Sequence, residues 1–428
     1  MGVIGRRRWL QMTALAAVYG VSGLSRADSP RARTTGRVVI VGAGFAGSTC
    51  ALHLRRLDPM IDVTLIDPVE RYATCPMSNE VLVGLRDMAS ITVSRDGVTR
   101  AGIKLIRARV ATIDPGRRSV RLEGGRALPF DRLVVAPGIR LLWNRIEGYD
   151  EAAAQTMPHA WQAGAQTRRL ARQLRAMDDG GVVAISVPSG LMRCPPAPYE
   201  RASLIARFLS QHKPRSKVLI FDANNHFPRQ DVFTDAWQSL YPGMIEWIAP
   251  TQDGAVVRVD AASMTLYTSS AAHPVAVANI IPPQAPGQIA ADAGLASDHG
   301  WCPIAATTFE SQLISHVHVI GDACIADAMP KSASAAASHA RQCASAIVAL
   351  LAGREVKTPA FDSVCYSMLD PQRAIAIHGR FTAQDGRIVA LESPAASAAT
   401  GASAGAGAQQ AREAQRWYQS IRADAFGA

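Results

Sequence analysis

The chain has 428 residues, 48% apolar and 19% charged, enough apolar material for two or three packed domains; a mainly disordered chain is excluded. Its net charge is +10, but four arginines and no acid fall in residues 1–27, leaving 41 basic and 35 acidic residues, or +6, beyond them. No Lys/Arg run interleaved with aromatics points to nucleic acid, and the longest apolar run, near the N-terminus, is shorter than the roughly 20 residues of a membrane span.

Residues 1–27 read as a signal peptide. Arg6-Arg7-Arg8-Trp9-Leu10-Gln11 precede an apolar stretch from Met12 to Leu24 and a small-x-Ala end, Ser25-Arg26-Ala27. The paired arginines point to the twin-Arg route, which exports folded proteins, and so to a bacterial periplasm.

Next comes Arg37-Val38-Val39-Ile40-Val41, a β-branched run that predicts a buried parallel strand. Gly42-Ala43-Gly44-Phe45-Ala46-Gly47 follows, then a helix over 48–57 and a strand over 62–66 ending at Asp67. This strand–GxGxxG–helix–strand–acid unit is a dinucleotide fingerprint. Gly42 allows the tight turn, Gly44 admits the pyrophosphate, Gly47 lets the helix pack on the strand, and Asp67 can bind ribose.

A predicted strand from Asp131 ends at Gly138, and another from His316 ends at Gly321-Asp322, before a helix from about Ser332. Both resemble motifs of the two-dinucleotide-domain disulfide oxidoreductase flavoproteins. The resemblance implies FAD, with Asp322 on its ribityl chain and the helix N-terminus aimed at the flavin. Between them, the strand Gly181–Val187 leads into a turn, Pro188 to Pro196, with one glycine and three prolines. Proline lacks the N–H that a phosphate cradle needs, so this NAD-like unit is expected to have lost its nucleotide. Electrons then come from something other than NAD(P)H.

The seven cysteines include no C-x-x-C-H and no C-x-x-C, so this chain attaches no c-type haem, and no metal site is expected. Cys50, Cys302, Cys324 and Cys343 read as buried hydrophobes. Cys75 lies on a loop soon after Asp67, Cys194 on the proline-rich turn and Cys365 near the C-terminus; spacing leaves their pairing open.

Arg193-Cys194-Pro195-Pro196 with Pro198 to Ser203, Thr74-Cys75 with Ser78 to Val81, Pro158 to Trp161, Ile281 to Gln284, Gly300 to Pro303, Met329 to Ser332 and Cys365-Tyr366-Ser367 together resemble the flavoprotein subunit of flavocytochrome c sulfide dehydrogenase. The resemblance implies that Cys75 bonds covalently to FAD and that Cys194 and Cys365 form a redox-active disulfide beside the flavin. It makes Glu200 a candidate acid/base, with a first-turn helix acid as the alternative. Lys331 becomes a source of positive charge near the flavin, with a surface lysine as the alternative. It also places Trp417 of the Trp417-Tyr418 pair near the flavin. The partner implied is a separate c-type cytochrome carrying the haem, in a heterodimer with sulfide as substrate. Hydrosulfide can attack a disulfide sulfur as a thiolate does.

The expected architecture is α/β, with two Rossmann-like dinucleotide-binding domains. An FAD-binding domain (36–148 and 284–355) is interrupted by an NAD-like domain (149–283). A smaller α+β C-terminal domain (356–428) covers the flavin and meets the cytochrome. An Ala/Gly/Ser-rich run at 394–411 is expected to be a flexible loop, and no sustained basic amphipathic helix is expected after Ala360. Competing readings are a sulfide:quinone oxidoreductase, a non-catalytic accessory flavoprotein of a sulfur-oxidation system, and an NADH dehydrogenase.

Overall fold

Val38 to Val41 are almost fully buried, and a strand apolar on both faces is stable inside a parallel sheet covered by helices. The computed structural model describes residues 35–391 and 404–427, so the leader expected over 1–27 and residues 394–403 of the expected loop lie outside it. Its first elements are β1 (Gly36–Val41), α1 (Phe45–Leu57), β2 (Ile61–Ile66), the short α2 (Ser78–Leu82), β3 (Lys104–Ile106) and β4 (Arg132–Val135). β1 lies between β2 and β4, all parallel, with Val38 opposite Val63 and Arg132.

The chain then builds a second parallel sheet from β5 (Val182–Val187), β6 (Lys217–Asp222), β7 (Ile245–Ile248) and β8 (Val277–Ile280), ordered β7-β6-β5-β8. α3 (Ala197–His212) connects β5 to β6. β9 (Val317–Val319) returns beside β4 and completes the first sheet, β9-β4-β1-β2-β3. Its continuation through Gly321-Asp322 leads to α4 (Ala333–Leu351), capped by Ser332, whose hydroxyl accepts from Ala335 N at 3.1 Å.

Three antiparallel strands follow, β10 (Ala360–Asp370), β11 (Arg373–Gln384) and β12 (Arg387–Ala390), and then α5 (Ala404–Phe426). β10 packs against both α3 of the second unit and α4 of the first. That bridging position brings the C-terminal segment to the seam between the two sheets.

α5 overturns two expectations. Residues 404–411 of the Ala/Gly/Ser-rich run are helical, because alanine is the best helix former and the helix gains packing against β11. A sustained helix with basic residues does exist after Ala360. Its apolar positions, Ala411, Ala414, Tyr418, Ile421 and Ala425, repeat at three- and four-residue steps and are buried in the protein. Among the described residues no helix is long and apolar enough to cross a membrane, and no cluster of ligating side chains is arranged to hold a metal ion.

Candidate active site

The fingerprint loop is shaped by two contacts. Gly42 has φ +96°, and a Cβ there would lie 2.3 Å from Ala136 O; one on Gly47 would lie 1.8 Å from Gly42 O. Those approaches seat α1 directly on β1. No side chain caps α1 at Gly44, leaving its positive end for an anion. Asp67, at the end of β2, accepts from Ala43 N at 2.7 Å and Val69 N at 2.8 Å, so it braces the loop. Arg95, 3% exposed, ties the same loop down by donating to Ala43 O at 3.1 Å, with Asp67 at 3.4 Å.

In front of α1 lies a cavity, open to solvent on one side. Gly44, Cys75, Gly138, Cys194, Glu200, Gly321, Asp322, Cys365 and Trp417 all contribute to its wall. The residues come from both sheets, β10 and α5, segments far apart in sequence.

All seven cysteines are thiols in the structure. Cys50 and Cys343 meet where α1 packs on α4; they, Cys302 and Cys324 are fully buried, as expected of hydrophobes. Cys194, on the turn before α3, and Cys365, on β10, both line the cavity. Burial raises both thiols; Glu200 raises both further, while Arg193 opposes the rise at Cys194 and Ser332 at Cys365. The turn carrying Cys194 spends its N–H groups internally. Arg193 N donates to Gln284 Oε1 at 2.9 Å, and Cys194 N to Lys331 O at 2.7 Å. Asp222, at the end of β6 where a second nucleotide's ribose would sit, is saturated by Tyr199, Trp247 and Asn224.

Three non-glycine residues on the cavity wall hold left-handed backbone: Met77 (φ 64°), Ala160 (φ 45°) and Cys194 (φ 53°). Each conformation costs on the order of 1 kcal/mol and persists because surrounding contacts dictate it.

Glu200 lies in the first turn of α3. Its Oε2 accepts from Asn79 Nδ2 at 2.8 Å, and its Oε1 from Met368 N at 3.1 Å, three residues past Cys365. Burial pushes its carboxyl up to about 7, with the nearby Glu80 adding to the rise. A carboxyl poised there exchanges protons at neutral pH.

Lys331 is neither a surface lysine nor part of the cavity wall. It is 8% exposed, and its Nζ donates to Asp322 O and Cys324 O, both at 2.8 Å. Its charge lies beneath the Asp322 turn. The cations on the wall are instead Arg201 and Arg193; the Arg193 guanidinium donates to Trp161 O and has the Cys75, Asp322 and Cys194 groups as electrostatic neighbours. Trp417 lies 5.8 Å from the Tyr366 ring, and its neighbour Tyr418 bonds Thr74, beside Cys75, at 2.6 Å.

Sequence reasoning missed Arg95 as a site residue and quoted Asn79, Trp161, Arg193 and Arg201 only inside motif stretches, with no role. The unit fits a flavin dinucleotide. The uncapped start of α1 offers N–H groups to phosphate, and the Asp322 carboxylate lines the cavity with no hydrogen-bonding protein side chain among the described residues. Cys75, Cys194 and Cys365 surround the remaining space.

Family comparisons agree with this geometry. Residues 167–282 match the central region of the sulfide dehydrogenase (flavocytochrome c) flavoprotein chain, and residues 357–426 match the flavin-binding region of flavocytochrome c sulfide dehydrogenase. Residues 36–178 match pyridine nucleotide-disulfide oxidoreductases. A sulfide dehydrogenase flavoprotein chain of Chlorobaculum thiosulfatiphilum is 55% identical over 47 residues, 11% of this chain and 98% of that one. The mitochondrial sulfide:quinone oxidoreductase of Mus musculus is 22% identical over 317 residues, 71% of this chain and 68% of that one; other curated quinone-reducing relatives are spanned over less than half their length. The solved sulfide:quinone oxidoreductase of Aquifex aeolicus superposes with a TM-score of 0.70 at 18% identity, covering 91% of this chain and 92% of that one. The fold is therefore that of the pyridine nucleotide-disulfide oxidoreductases.

Proposed function

Because the chain belongs to the flavoprotein-chain family of flavocytochrome c sulfide dehydrogenase, a family of sulfide-oxidising flavoproteins, we propose that it oxidises sulfide in the periplasm and passes electrons singly to a separate c-type cytochrome in a heterodimer. The observation that carries this reading is the convergence of Cys194, Cys365, Glu200 and Cys75 on the cavity beside Gly44 and Asp322.

Hydrosulfide attacks one sulfur of a Cys194–Cys365 disulfide. The S–S bond breaks as a new one forms, leaving a cysteine persulfide and a partner thiolate. Glu200 takes the persulfide proton at Oε1 or Oε2, and the Arg193 guanidinium and the Ser332 hydroxyl offset the negative charge on sulfur. FAD, when bound, supplies a two-electron acceptor able to release electrons one at a time. Cys75 is the proposed covalent anchor, and Asp322 holds the ribityl chain. The leader at 1–27 fits folded export with the cofactor in place.

A quinone as acceptor is the second reading, favoured by the similarity to the mouse quinone-reducing enzyme over 71% of this chain. Against it, the apolar stripe of α5 faces the protein core.

Anaerobic addition of sulfide to the flavin-loaded protein tests both. The expected result is bleaching of the flavin band, lost in Cys194→Ser and Cys365→Ser, followed by reduction of soluble cytochrome c in preference to decylubiquinone. Exclusive reduction of the quinone moves the assignment to the second reading. Absence of bleaching refutes sulfide oxidation.

A further inference from the structure

Glu200 ends a chain of hydrogen bonds whose direction is fixed at every step. Asn279 Nδ2 donates to Pro158 O at 2.8 Å and His159 O at 2.7 Å, so its Oδ1 is the end left to accept, and it accepts from Arg201 Nη1 at 2.7 Å. Arg201 has donors only. It also donates to His159 O at 3.2 Å and Ala160 O at 2.8 Å, and its Nε–H reaches Asn79 Oδ1 at 3.0 Å. Asn79 must therefore turn its NH₂ toward Ala197 O at 3.3 Å and Glu200 Oε2 at 2.8 Å. Asn279, Arg201 and Asn79 are 0%, 2% and 5% exposed, so bulk water cannot substitute for a missing partner.

Both protein partners of the Glu200 carboxyl, the Asn79 amide and the Met368 N–H, are donors. A protonated carboxyl finds no acceptor in either of them, and its O–H turns to the open side of the group, the cavity wall it shares with Cys194 and Cys365. The ionised carboxyl, by contrast, receives both bonds. The arrangement favours a carboxylate that collects a proton from the cavity and can return it only there.

We propose that Asn79, oriented by Arg201, is a positioning residue that directs proton exchange by Glu200 toward Cys194 and Cys365. This rests on the reading of Glu200 as the acid/base of sulfide oxidation. The charged and titratable groups facing Glu200 are Glu80 of α2, held by Arg86 and by Gln415 of α5, Arg201 of α3, Cys194 of the preceding turn and Cys365 of β10. Glu80 opposes ionisation of Glu200, and Arg201 and the Asn79 amide favour it.

The test compares Asn79→Leu and Asn79→Asp with wild type in the flavin-loaded protein. Infrared difference titration reads the Glu200 carboxyl, with Glu200→Gln as the blank, and the pH profile of sulfide-driven flavin bleaching is recorded alongside. Losing a charge-assisted donor is expected to move both midpoints up by about one to two pH units. Asn79→Asp, which still accepts from Arg201 but faces Glu200 with an oxygen, should move them further than Asn79→Leu. Unmoved midpoints in either folded variant overturn the proposal. Should both variants fail to fold, Arg201→Lys decides. It keeps the charge but loses the fork that orients Asn79, and an unmoved midpoint there overturns the proposal equally. A wild-type protein with no Glu200 titration near neutrality overturns instead the acid/base reading on which it rests.

Discussion

Replacing Glu200 with glutamine separates the cost of burying this carboxyl from the value of its hydrogen bonds. Burial lifts the group from an ordinary 4.5 to about 7. Between those values the unfolded chain has released the proton and the folded chain still holds it. Folding stability therefore falls as pH rises through that window. At about 1.4 kcal/mol per pKa unit, the wild type loses about 3 kcal/mol from pH 4.5 to above pH 7 through this group. Glutamine does not titrate and avoids the loss. It has one acceptor oxygen for two donors, Asn79 Nδ2 and Met368 N, so it carries a pH-independent cost of about 1–3 kcal/mol. Urea denaturation of both proteins at a series of pH values should show Glu200→Gln less stable below pH 4.5 and gaining about 3 kcal/mol relative to wild type above pH 7. A difference that stays flat across the window refutes the claim that burial sets the ionisation of Glu200.

Three further outcomes follow from the same geometry. Gly47→Ala, whose Cβ would lie 1.8 Å from Gly42 O, should cost about 2–3 kcal/mol in a denaturation experiment and lower flavin content at purification. Lys331→Met leaves Asp322 O and Cys324 O without their donor, so a loss of about 2–4 kcal/mol is expected, and flavin should dissociate faster when retention is followed by filtration. Cys75→Ser should still bind flavin when folded but release it on denaturation, read by intact mass; a flavin mass that survives denaturation in this variant places the covalent bond elsewhere.

Four strands of the first sheet, β1, β2, β4 and β9, were legible because each is an apolar, β-branched run leading to glycine or aspartate; β3, only Lys104–Ile106, carries no such signal. The cysteines were legible through local motifs: Arg193 to Pro196 has a composition that few turns share. The polar clamp was not. Arg201 reaches acceptors at Asn79, His159, Ala160 and Asn279, and no local pattern announces that three separate segments converge on one guanidinium. The setting of Lys331 was not legible for a similar reason. An exposed lysine and one folded back onto backbone carbonyls have the same sequence neighbours. The helix over 404–426 was hidden because its glycines suggest flexibility, whereas packing against β11 supplies the stability that propensity withholds.

The left-handed residues around the cavity bear on how far the protein can be made sturdier. Glycine at Ala160 relieves a backbone conformation that alanine adopts reluctantly, so a search for heat-resistant variants would select it readily. Yet Ala160 O is one of the acceptors that fix Arg201. A looser backbone there would let the guanidinium wander and, through Asn79, the carboxyl at the end of the chain. Durability and chemistry draw on the same few torsions, and selection for one is expected to erode the other.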